Sequence, residues 1–197
     1  NDAVKLAVSM ININEGSVKS TIAFYNYGTV GQNEIDHCVG VNNYDDMVIP
    51  EMEFTSNDRM VAFGDTKAVI FEGAQKPQAI AEIPMDEKTK SIFYNEHYIG
   101  IVTGNEDEAV TNHLAVYDEN GKLVMEKDFG LDYSSIEFLT NNEICIRNAN
   151  VCDIYTVHGV YKFHHEFEEE LFEIIPGKLK LNYTLVLKDT TQRIRLK

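Results

Sequence analysis

The chain has 197 residues, 44% hydrophobic and 25% charged, with ten Tyr, ten Phe and no Trp, a composition that supports a folded core and excludes disorder for the bulk of the protein. Its 32 acidic residues against 17 basic ones give a net charge of −15, and a surface of that sign repels phosphate backbones and anionic lipid, which sets nucleic acid aside as a partner. No run reaches 18 consecutive apolar residues, so no transmembrane helix is expected within the chain.

Short alternating runs rich in Val, Ile, Phe and Tyr dominate, each punctuated by Gly, Asn or Asp, and helical periodicity is scarce. That is the pattern of an all-β chain with many short strands. In chain order the expected strands are "KLAVSMIN" (5–12), "STIAFYNY" (20–27), "RMVAFG" (59–64), "KAVIFEG" (67–73), "YIGIVTG" (98–104), "HLAVYDE" (113–119), "KLVMEKDF" (122–129), "EICIRNA" (143–149), "CDIYTV" (152–157), "VYKFHHEF" (160–167), "YTLVLK" (183–188) and "RIRL" (193–196). Two hairpins are marked by glycine, one in "DENGK" (118–122) and one in "VHGV" (157–160).

The strands recur as a unit. "EFTSNDRMVAFGD" (53–65), "IFYNEHYIGIVTG" (92–104) and "EFLTNNEICIRNA" (137–149) each carry Phe, then a polar turn with Asn, then an apolar strand. Phe54, Phe93 and Phe138 are spaced by 39 and 45 residues; in the strand that follows, Tyr25, Phe71, Tyr117 and Tyr155 are spaced by 46, 46 and 38. A four-stranded sheet cannot bury both faces alone, so such units stack, and a closed stack is a β-propeller. The expected fold is therefore an all-β propeller of four-stranded antiparallel blades, with blade units at 1–47, 48–86, 87–130, 131–168 and 169–197. A sandwich or barrel of similar strand count is the other architecture. The first unit lacks its innermost strand and the last its outermost, so either the ends zip together into about five blades or the chain is the C-terminal part of a propeller of about seven or eight.

Six Lys/Arg gather in residues 178–197, directly after the acidic "EFEEELFE" (166–173); the two stretches are expected to be neighbours that partly neutralise each other across adjacent strands, the alternative being a separate binding patch. Three cysteines leave at least one thiol free. Cys145 and Cys152 flank "RNAN" and are placed to face each other across a hairpin, and all three, Cys38 included, lie in apolar stretches where buried reduced thiols are expected.

Candidate chemistry is sparse. In His164-His165-Glu166 the two imidazoles point to opposite faces of a strand, but His164 and Glu166 share one; with His158 as a third ligand they form the candidate divalent-metal set, against the alternative of an exposed polar strand. Carboxylates also cluster in "DENG" and "GNEDEA" (104–109), without the spacing of an EF-hand. No nucleophile elbow, P-loop or dinucleotide fingerprint occurs, so neither catalytic residues nor a cofactor are assigned.

"AFYNYGTVGQNEIDHCVG" (23–40), "PEMEFTSNDRMVAFGD" (50–65), "FYNEHYIGIV" (93–102), "YDENGKLVMEKDF" (117–129) and "RIRLK" (193–197) resemble a family of propeller proteins of unknown function from Clostridia and other Firmicutes, DUF5711. The resemblance implies a WD40-like or YVTN-like propeller outside the cytoplasm, held by a membrane anchor upstream of Asn1, and it brings no catalytic residues. The function expected on these grounds is a non-catalytic binding or scaffolding module at the cell envelope, with a protein or peptide partner and contact with the membrane only through that upstream segment. The alternative is a hydrolase- or lyase-type enzyme with carboxylates or a metal at the propeller channel, for which convergence of Asp36, Asp65, Asp132 and the 104–109 loop is the discriminating observation.

Overall fold

A computed structural model of the chain describes residues 5–14, 16–26, 38–73, 76–104 and 112–196. The strands among them are β1 (Lys5–Asn14), β2 (Ser17–Asn26), β3 (Cys38–Asp45), β4 (Glu51–Phe54), β5 (Arg59–Phe63), β6 (Lys67–Glu72), β7 (Gln78–Pro84), β8 (Thr89–Tyr94), β9 (Tyr98–Gly104), β10 (Asn112–Asp118), β11 (Leu123–Phe129), β12 (Ser135–Phe138), β13 (Glu143–Asn148), β14 (Val151–Thr156), β15 (Tyr161–Glu166), β16 (Leu171–Pro176), β17 (Asn182–Leu187) and β18 (Thr191–Arg195). They form five antiparallel meanders, β1 to β3, β4 to β7, β8 to β11, β12 to β15 and β16 to β18, in which sequence neighbours are sheet neighbours.

Burial explains why the second and third strands of each full sheet read as continuous apolar runs. Met60–Phe63 on β5 and Ala68–Phe71 on β6 are buried on both faces, whereas β7 exposes most of its residues. The turn between the first and second strands uses asparagine for a local reason. The Asn95 side chain accepts the backbone N–H groups of His97 and Tyr98, each at 2.9 Å, and Asn141 accepts that of Glu143 at 3.3 Å, closing the turn without a second chain segment. The glycine-marked hairpins are three-residue loops: Asp118 N donates to Lys122 O and Thr156 N to Val160 O, both at 2.9 Å, with Gly121 and Gly159 at φ +74° and +77° closing them.

The repeat has a structural marker. The strand register shifts between Phe24 and Tyr25, Ile70 and Phe71, Val116 and Tyr117, and Ile154 and Tyr155. These are the four aromatics that the spacing singles out, each at a bulge where a strand meets the last strand of its sheet. By this marker β1, β2 and β3 correspond to β5, β6 and β7.

The chain divides into two compact units, Asn1–Glu87 with Glu119–Gly121, and Lys88–Asp118 with Lys122–Lys197. In the first, Ile22, Phe24, Met47, Ile49, Met60, Ala62, Val69 and Phe71 fill the space between the two sheets. Ser20 is fully buried there; its hydroxyl donates to Met47 O at 2.7 Å and accepts Ile49 N–H at 3.2 Å, satisfying the connecting segment. In the second unit, one core joins β8–β11 to β12–β15 through Val102, Leu114, Val116, Ile144 and Ile146. Another joins β12–β15 to β16–β18 through Cys145, Ile154, Ile174, Tyr183 and Leu185. Arg147 clamps the latter pair, reaching Glu137 at 2.8 Å and the carbonyls of Leu171 and Phe172.

Gly100 sits opposite Phe93 in the β8–β9 ladder, and a Cβ placed on it would lie 2.2 Å from the Phe93 ring. That ring packs 4.5 Å from Phe138, so it has little room to give. Gly100→Val is expected to lower stability by about 1–3 kcal/mol, read as a lower guanidinium midpoint at unchanged slope.

Candidate functional site

Glu143 opens β13 directly after the left-handed Asn142, at φ 61°. Its carboxylate is nearly buried and receives two donors from other strands. Tyr183 on β17 donates its hydroxyl to Glu143 Oε2 at 2.5 Å, and Lys162 on β15 binds Oε1 while also approaching the Tyr183 hydroxyl at 3.2 Å. Burial pushes the Tyr183 phenol above its ordinary pKa, with Glu143 adding to the shift. Burial works against the Lys162 ammonium, but its hydrogen bonds to Glu143 and Tyr183 outweigh that and hold its pKa above the usual lysine value.

Two of this trio, Glu143 and Lys162, line a cavity of about 530 Å³ together with Asn141 and residues 177–182, with Tyr183 behind them, within the range of ligand pockets. The far side is the β16–β17 loop "GKLKLN". Gly177 N–H donates to Asn182 O at 2.7 Å, and the Asn182 side chain donates to the carbonyls of Leu179 and Lys180 at 3.3 and 3.1 Å. Leu179 is 74% exposed. Leu181, also exposed, takes φ +65°, a left-handed conformation that is costly for a residue with a bulky side chain.

The expected partial neutralisation of the basic C-terminal stretch is not made through direct ion pairs among the described residues, although Glu170 and Lys188 are backbone neighbours. Among the described residues no acidic side chain lies within ion-pair distance of Lys178, Lys180, Lys188, Arg193 or Arg195. The register separates most of the two stretches: Leu171 stands opposite Leu187 and Glu173 opposite Val186, and Lys188 N–H donates to Glu170 O at 2.9 Å, so the acidic segment meets the C-terminal end of β17 while Lys178 and Lys180 sit in the loop at its other end.

The proposed metal ligands are not assembled. His164 stands opposite Asp153 and its Nδ1 meets that carboxylate at 2.7 Å. Glu166 lies at the far end of β15, beside His165 on the wall of a second cavity, and His158 is in the hairpin turn at the other end of that strand. Among the described residues no group of three His, Cys, Asp or Glu is placed to hold a metal ion. Of the discriminating carboxylates, Asp65 accepts Val48 N–H at 3.0 Å and so ties the β5–β6 turn to the segment before β4, Asp132 is exposed, and Asp36 and residues 105–109 lie outside the described residues. Asp118 accepts Lys122 N–H at 2.9 Å, a turn contact in "DENG".

Cysteine burial is split. Cys145 and Cys152 are fully buried with their sulfurs 3.8 Å apart, and their contact and burial push the Cys152 thiol well above its ordinary pKa. Cys38 is exposed, contrary to expectation: β3 is an edge strand, and the register shift between Phe24 and Tyr25, which pair with Gly40 and Cys38, breaks the alternation in which Val41, Asn43 and Asp45 face outward. Alkylation with iodoacetamide is expected to modify Cys38 alone in the native protein and all three thiols in guanidinium, read by intact mass.

A model of the family of unknown function DUF5711 matches residues 1–196. The chain belongs to that family. No curated protein matches this DUF5711 chain in sequence. Among solved structures, Hsv2 of Kluyvelomyces marxianus is similar with a TM-score of 0.54 and 9% identity, over 91% of this chain and 56% of that one. A eukaryotic initiation factor is similar with a TM-score of 0.50 and 16% identity, over 84% of this chain and 44% of that one. The chain thus spans about half the length of each, and the likeness is one of fold, a propeller-like arrangement of antiparallel sheets.

Proposed function

We propose that this DUF5711 chain is a non-catalytic binding scaffold whose blade loops present a surface to a protein or peptide. The observation that carries this reading is the β16–β17 loop. It sets two lysines without acidic partners and two exposed leucines over a cavity of ligand size, on a chain of net charge −15. Glu143 and Lys162 in the cavity wall, and Tyr183 bonded to both, are poorly suited to proton transfer. A tyrosine or lysine acting as a base near neutral pH needs its pKa lowered, and both are raised.

In this proposal each sheet is one blade, at 1–47, 48–86, 87–130, 131–168 and 169–197, of a WD40- or YVTN-like propeller. The resemblance to Firmicutes proteins supports a place at the cell envelope, outside the cytoplasm and behind an upstream membrane anchor. The test is in-cell crosslinking with the tagged full-length protein, comparing wild type with K178E/K180E. A discrete crosslinked partner, recovered in the envelope fraction and lost in the variant at unchanged protein level, is the expected result. A crosslinking pattern indifferent to the variant would overturn the binding role, and recovery of the wild type in the cytosol would overturn the location.

A further inference from the structure

Within that binding reading, on which this inference rests, the chemistry of the 177–182 cavity specifies what it takes. We propose that it receives an acidic peptide segment of a protein partner, with carboxylates held by Lys178 and Lys180 and an apolar side chain seated against Leu179 and Leu181. Three independent features converge on this. The first is charge: the cavity carries Lys162, Lys178 and Lys180 against Glu143 alone, and Glu143 is already engaged by Lys162 and Tyr183. On a protein with nearly twice as many acids as bases, this is a local reversal of sign that steers an acidic partner to one place.

The second is preorganisation. The Asn182 amide and the Gly177–Asn182 backbone bond fix the loop, so little ordering is required on binding. The third is strain. Leu181 is held at φ +65°, and an unfavourable backbone conformation that the surroundings enforce, next to a cavity, is the kind of outlier that marks a recognition surface. An anionic lipid surface is the competing occupant of a basic loop with exposed leucines. The recessed cavity, its Glu143 wall and the acidic remainder of the chain favour a peptide.

The experiment is a fluorescence-polarisation titration of the full-length protein with a fluorescein-labelled peptide of alternating glutamate and leucine. The controls are the glutamine-for-glutamate peptide and phosphatidylglycerol vesicles. Saturable binding is expected, weakened by added salt, absent for the glutamine peptide, and reduced roughly tenfold or more by K178E/K180E. Leu179→Ser is expected to weaken it with less effect on the salt dependence. The charge control K122E/K188E places the same reversal elsewhere: Lys188 lies at the opposite end of β17 from Asn182, and this variant is expected to bind as the wild type does. No saturable binding, equal loss in both double variants, or preference for the vesicles over the peptide would overturn the proposal. In each of those cases, persistence of the K178E/K180E-sensitive crosslink in cells would leave the scaffold reading standing, and its absence would remove both.

Discussion

Phe71→Ala is expected to destabilise the protein by about 3–5 kcal/mol. Phe71 is fully buried on β6, and its ring stands 5.1 Å from that of Phe24 on the facing sheet. Met60, Ala62 and Val69 complete the same core, so truncation removes aromatic contacts and leaves a void that rigid neighbouring strands cannot close. The residue also sits at the register shift after Ile70, where the backbone geometry is set by what the side chain packs against. Guanidinium denaturation measures the effect. Ile80→Ala, at a position 42% exposed on β7, is the control and is expected to stay within about 0.5 kcal/mol. If both variants lose the same amount, the first two sheets do not share a tightly packed core.

Phe71 also shows what the sequence makes legible. The runs around it are apolar because β5 and β6 are covered on both sides, and such strands announce themselves. The aromatic recurs at Tyr25, Tyr117 and Tyr155 because each marks the same bulge, so the spacing carried real geometry. Strands at sheet edges are harder to see. β3 contains "GVNN", β7 exposes Gln78, Ala79 and Ile80, and β4 and β12 are four residues long; partners supply their order, and their own alternation is weak. The buried trio beside the cavity is less legible still. Lys162, Tyr183 and Glu143 come from three strands 40 residues apart at the extremes, with no local motif to join them. The surplus of lysine after residue 177 was visible, but its freedom from acidic partners depends on the β16–β17 register, which no composition reveals.

Glu143→Ala is the second large effect, expected to cost about 3–5 kcal/mol. The Glu143 side chain is 11% exposed and its carboxylate accepts both the Tyr183 hydroxyl and the Lys162 ammonium, so its removal leaves a charge and a phenol without their acceptor in a poorly solvated place. The double variant Glu143→Leu with Lys162→Met is expected to recover much of that loss, because exchanging both members for apolar residues removes the desolvation cost along with the attraction. Alkaline titration separates this account from simple packing. Tyr183 and Lys162 both have raised pKa values, and burial pushes Tyr44 and Tyr155 up to about 12, with Glu82 and Asp153 respectively adding to the effect. The folded state therefore holds more protons than the unfolded chain above about pH 10, so stability is fully present below that pH and declines as the pH rises toward about 12. Denaturation midpoints taken across this window should fall steadily in the wild type and less steeply in the double variant, which lacks the lysine and the carboxylate that act on Tyr183. Parallel slopes would mean that the trio contributes packing beside the cavity without the coupling of protons that its geometry implies.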